Sequence, residues 1–196
     1  MSPIDRFDST GPEALRNPGA GPRMAARGSG PRPNRRARTY TVWIENARRR
    51  ELAVLSGRVS LMTGEADAID LRVALLYDRL RSTPSATVGH HVSVYGGAAP
   101  SPNAYRSALT LPVQVGIECV LPPGGIDGIE AFATPDGLAA TTEHVGPIEL
   151  LPDAHAAVRA WCRANGWEVS GTNWEVHGRW SGNPDQWRTA VYYLVR

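Results

Sequence analysis

Trp174-Glu175-Val176-His177-Gly178 is the stretch on which the reading of this chain turns. Successive side chains of a strand point to opposite faces, so Trp174 and Val176 share one face while Glu175 and His177 share the other. A fainter twin, Val92-Ser93-Val94-Tyr95-Gly96, stands 82 positions earlier and sorts Val92 and Val94 against Ser93 and Tyr95. The apolar face must pack on something. The opposite face then presents a glutamate, a histidine, a serine and a tyrosine, and it reads as the wall of a ligand cleft.

Outward from these strands the chain falls into two similar halves. Residues 40–45 alternate like a strand, and Leu52-Ala53-Val54-Leu55 supplies a second. Ile69, Val73, Leu76 and Leu80 then recur at the spacing of one helical stripe. Glu65, Asp67 and Asp70 come early and Arg79 and Arg81 late, as the helix dipole favours, and Pro84 closes the run. The strand at 91–95, a loop rich in Ala, Pro and Ser, and a strand at 112–121 complete the first half. The second half repeats the order: strands at 128–134 and 138–144, a helix with Leu151, Ala154, Val158 and Trp161 on one face, then strands at 171–179 and 188–195. Pro152 and Asp153 start that helix and Asn165-Gly166 stops it. The expected fold class is α+β: a duplicated strand-helix-strand module (about 39–122 and 126–196) with antiparallel sheet, helices on one face and a ligand cleft on the other.

Composition narrows the partners. The 196 residues suffice for one ordinary domain and a tail. Residues 1–38 hold eight arginines, three acids, repeated Gly-Pro and Pro-Arg steps and no apolar period, so a disordered tail is expected. Its arginines read as a solvated extension, and Met24 offers a later start. Residues 39–196 keep 13 of the 21 basic residues and 16 of the 19 acids, about −3 by formal count. The basic balance therefore belongs to the tail, which argues against nucleic acid as a partner of the domain. No apolar run approaches the roughly 20 residues of a membrane span, and the N-terminus lacks a secretory apolar core. Cys119 and Cys162 form no metal-spaced or disulfide framework, so a soluble cytoplasmic protein is expected. His90 and His91 point to opposite faces, and His144 and His155 have no evident partner. With no recognised ligand spacing, phosphate loop or dinucleotide fingerprint, neither metal nor cofactor is expected.

The candidate residues follow from orientation and chemistry. A buried, unpartnered Glu175 would have a raised pKa and serve as an attractor for cationic aromatics or as a base. The plainer alternative is a solvated glutamate, or one paired with Arg179 or Arg188. Of six tryptophans, five lie between Trp161 and Trp187. Trp161 and Trp174 read as packing, whereas Trp180 and Trp187, bracketing Gly182-Asn183-Pro184, and Trp43 read as flat walls for planar ligands. Tyr95 and Tyr193 are phenols able to hold a carbonyl or relay a proton, Ser93 lines the same face, and His177 has the intrinsic pKa for proton transfer.

The run Pro135-Asp136-Gly137-Leu138-Ala139-Ala140, then His144-Val145-Gly146-Pro147, the Trp161 helix, Gly166-Trp167, Gly171, Trp174-Glu175 and Asn183-Pro184 resembles the GyrI-like (gyrase-inhibitor-like) effector-binding domain over about 39–196. That resemblance implies two pseudo-symmetric modules, a central cleft, and a buried ligand-meeting glutamate at Glu175. The family often has tyrosine two residues later, where this chain has His177. Members act as drug-sensing parts of regulators, as gyrase-interacting proteins, and as hydrolases opening the cyclopropane of DNA-alkylating natural products. No helix-turn-helix reader is expected beside the domain. The expectation is a binder of planar aromatic or cationic small molecules, with a hydrolase version in which Glu175 directs water and Tyr95 or His177 assists. The alternative is a sensor or interaction module whose partner is gyrase or a regulator.

Overall fold

The computed structural model describes residues 38–55, 59–60, 66–83, 88–96, 110–111, 113–178 and 182–196. The sequence's tail, apart from Arg38, and Arg179 and Trp180 lie outside them. Among the described residues ten strands and two α-helices follow in chain order: β1 Trp43–Ala47, β2 Glu51–Val54, β3 Val59–Ser60, α1 Ala66–Arg81, β4 His91–Tyr95, β5 Thr110–Leu111, β6 Val113–Glu118, β7 Glu130–Ala133, β8 Gly137–Val145, α2 Leu151–Ala164, β9 Val169–His177 and β10 Arg188–Val195. Eight strands form one antiparallel sheet in the order β1-β8-β10-β9-β4-β6-β2-β7, and β3 pairs with β5 apart from it. The fold is α+β, with an open antiparallel sheet and two helices on one face. Among the described residues no helix is long and apolar enough to cross a membrane.

β4 and β9 lie side by side at the centre, and Ser93 stands directly opposite Glu175. The 82-position offset of the sequence twin equates the same two residues. The same 82-position offset carries buried Val73, Leu76 and Leu80 of α1 onto His155, Val158 and Cys162 of α2. The edges are exchanged: β1 precedes β2 in the chain but pairs with β8, while β7 precedes β8 but pairs with β2.

That exchange dictates the curvature. Strands β1 and β2 are six places apart in the sheet, roughly 29 Å if it were flat. Residues 48–50 join them, a link that reaches about 14 Å when extended. The sheet must curl to bring its ends together. The two short links then cross, with Thr134 N–H donating to Arg50 O at 3.0 Å and Arg50 N–H to Thr134 Oγ1 at 2.9 Å.

Inside the curl, Leu52, Val54, Val92, Val94, Ala139, Trp174, Val176 and Tyr192 form one core, with the Trp174 and Tyr192 rings stacked at 5.0 Å. On the outer face α1 packs on β6 through Val73, Leu76 and Leu80, and α2 packs on β8 and β10 through Leu151, Ala154, Val158 and Cys162. This corrects the placing of the carboxylate's face opposite the helices. Glu175, being of opposite parity to Trp174, lies on the helix-bearing face. Alternation separates two faces without saying which one the helices cover, and here the apolar face lines the concave side of the curled sheet.

Candidate functional site

The helices rest on flanking strands, so the outer face of β4 and β9 lies between them. Three cross-strand rows meet there: His91 with His177, Ser93 with Glu175, and Tyr95 with Asn173. α2 adds His155, which occupies the position of Val73 in the other half and so brings a polar group from one half only. Glu175 is 5% exposed. Its Oε1 faces His155 Nε2 at 2.8 Å, and its Oε2 accepts from the Tyr95 hydroxyl at 3.1 Å. His177 Nε2 lies 3.3 Å from Oε2, close enough for charge attraction but not aligned as a hydrogen bond.

A chain of bonds continues behind the acid. His155 Nδ1 is 2.8 Å from the Tyr193 hydroxyl, which accepts from Arg159 Nη1 at 2.7 Å. One assignment satisfies every member: Arg159 donates to Tyr193, Tyr193 donates to Nδ1 of a neutral His155, and His155 Nε2–H donates to an ionised Glu175. Burial alone would raise the carboxyl pKa, but the His155 bond, the His177 contact and the charge those rings can carry outweigh it and hold Glu175 below the ordinary carboxylate range. Burial pushes the Tyr193 phenol up to about 12 despite the Arg159 guanidinium. Burial likewise lowers His91 well below the usual histidine range, and a charge on His177, whose ring stacks on it at 4.5 Å, would lower it further. His91 Nε2 lies 3.3 Å from Ser93 Oγ, and His177 Nδ1 the same distance from Thr189 Oγ1.

Five residues singled out in the sequence thus share one site: Glu175, His177, Tyr95, Ser93 and Tyr193. Glu175 is neither solvated nor paired with Arg188, which instead binds Glu143 at 2.7 Å. Nor is it the unpartnered, neutralised acid expected, because three side chains meet it. Trp43 belongs to the opposite face, where its indole donates to Glu45 at 3.0 Å, and it is not part of this site. Its parity was legible, but the shared face it pointed to was the concave one. Trp187 is buried at the entry to β10, beyond the three rows, with its carbonyl accepting from Gly146 N–H. Trp180 lies outside the described residues. His155, Arg159, His91 and Asn173 were missed. For His155 the signal was a polar residue on the apolar stripe of α2, and for Asn173 it was sharing parity with Glu175. No group of three or more metal-ligating side chains occurs among the described residues.

A hollow of about 780 Å³ opens on the concave side between the 45–51 and 118–120 segments, with Trp174 and Tyr192 among its walls. Arg50 and His90 both bind Glu118 at its rim.

No protein-family model and no curated protein sequence matches this chain. Shape does. The EcmrR C-terminal domain superposes on 80% of the chain, with 98% of that domain covered, a TM-score of 0.65 and 13% identity. The chain shares the fold of that domain. The EcmrR chain solved in a complex with DNA gives the same TM-score at 14% identity, and this chain spans 57% of its length. A hydrolase from Listeria innocua matches with a TM-score of 0.53 and 12% identity over 79% of this chain and 91% of its own. SAV2435, solved bound to tetraphenylphosphonium, matches with a TM-score of 0.51 and 8% identity over 81% and 94%.

Proposed function

We propose that this chain is a small-molecule-binding protein of the GyrI-like kind, in which Glu175 anchors planar, partly apolar cations between the two helices. The observation that carries the reading is a 5% exposed carboxylate that accepts from the Tyr95 hydroxyl at 3.1 Å and faces His155 Nε2 at 2.8 Å. The carboxylate lies in a low-dielectric setting, where a ligand cation gains more from it than it would in water. The binding of tetraphenylphosphonium, an apolar cation of tetrahedral rather than planar shape, by SAV2435, a protein of the same fold, supports the cationic part of that reading. Titrating tetraphenylphosphonium against tryptophan fluorescence tests it: the parent should bind, and Glu175→Gln should weaken binding by about tenfold or more, the worth of a desolvated charge interaction. Equal affinity for the two proteins overturns the reading.

A hydrolytic version draws on His177, whose buried Nε2 makes no hydrogen bond and stands beside Glu175. A carboxylate with a lowered pKa is a weak base, so His177 would take the proton of water. The water oxygen would bond to a cyclopropane carbon, the breaking ring bond's electrons would pass to the conjugated carbonyl, and a proton would return to that oxygen. Turnover of a cyclopropane-bearing alkylator with a gain of one water by mass, abolished in His177→Gln, is the expected result. Unchanged ligand mass after prolonged incubation removes this version.

A further inference from the structure

Asn173 is completely buried and points to the Glu175 face, yet neither its Oδ1 nor its Nδ2 has a hydrogen-bond partner. Burying an amide in this way costs free energy that an apolar residue of the same shape would not, so the residue is poorly explained by packing. Its place is specific. Asn173 is the cross-strand neighbour of both Tyr95 and Tyr193, and it lies two residues before Glu175 on the same strand face. The register of β9 against β10 slips between Val169 and Asn173, a stretch that contains Gly171 at positive φ, and such bulges re-aim neighbouring side chains. Farther along the same face His177 Nε2 is also without a hydrogen bond, so unmet hydrogen-bonding capacity flanks the carboxylate on both sides.

We propose that Asn173 is a specificity-determining residue that pairs with a carboxamide or lactam on the ligand. This deepens the reading of the Glu175 face as a small-molecule site and rests on it. The pairing is reciprocal: the ligand N–H donates to Asn173 Oδ1 while the ligand carbonyl accepts from Nδ2. A group offering only a carbonyl leaves Oδ1 buried and unmet, and a quaternary cation leaves both atoms so. Planar carboxamides are therefore favoured over ketones and esters of the same shape, since a site built for a hydrogen bond rejects the analogue that lacks it.

The test uses the full chain with 2-naphthamide and its near-isostere 2-acetonaphthone. The parent should prefer the amide by about tenfold, and Asn173→Leu should bind the two alike. The same variant should melt at an unchanged or higher temperature, because the orphaned amide is gone. In the parent, the Asn173 side-chain amide resonances should shift with 2-naphthamide and not with the ketone, a readout that needs no variant. Equal binding of the two probes by the parent, a preference that survives in Asn173→Leu, or a lowered melting temperature overturns the proposal. Tetraphenylphosphonium, tried on the parent and on Glu175→Gln, reports separately on the anchor: if it binds through Glu175 while the amide preference is missing, only the role of Asn173 falls.

Discussion

A carboxylate taken out of water normally protonates unless something replaces the lost hydration. At Glu175 that replacement comes largely from His155, whose Nε2 bonds the acid while Nδ1 is held by Tyr193. His155→Val, which copies residue 73 of the other half, should raise the Glu175 carboxyl pKa, read by carbon NMR of the labelled carboxyl. It should also cost about 1–3 kcal/mol in urea denaturation by stranding buried partners. Tyr193 gives a second readout. Its folded pKa, about 12, lies above the ordinary value of 10, so its contribution to stability is complete below pH 10 and is lost as pH rises from there through about 12. Absorbance at 295 nm should show a late tyrosine titration that disappears in Tyr193→Phe.

At the scale of elements, the alternation in β4 and β9 was readable because period-2 patterning survives any tertiary context. So was α2, whose start at Pro152 and stop at Asn165 match Leu151–Ala164. What covers each face was not readable, since that depends on curvature, and curvature depends on pairings between residues far apart in sequence. His155 was opaque for the same reason: without knowing that α2 packs on β8 and β10 so that His155 reaches Glu175 of β9, a histidine on an apolar stripe has no visible partner. Gly171 is an element-scale feature with a direct test. It sits inside β9 at φ +92°, a conformation that resists any Cβ, and it lies within the register slip that precedes Asn173. Gly171→Ala should destabilise by about 1–2 kcal/mol in chemical denaturation. It should weaken 2-naphthamide binding more than tetraphenylphosphonium binding.

For the whole molecule, the joint near the crossing links is electrostatic. Burial would raise Glu118, but the His90 and Arg50 contacts hold its carboxyl down to about 2. Its folded pKa lies below the unfolded value of about 4.3, so its stabilisation is present above that value and is lost as pH falls from about 4 towards 2. Glu118→Gln should flatten the dependence of melting temperature on pH across that window. An unchanged slope would place the acid sensitivity elsewhere.

The traded edge strands also shape how the chain is made. As it leaves the ribosome, the leading portion cannot finish its own sheet, because the strand that closes it is synthesised later, and β1 in turn waits for β8. Closure is necessarily a late, long-range event. Cutting the backbone near Gly124 should leave two fragments that are each incomplete alone and that restore one native particle when mixed, since each carries a strand belonging to the other.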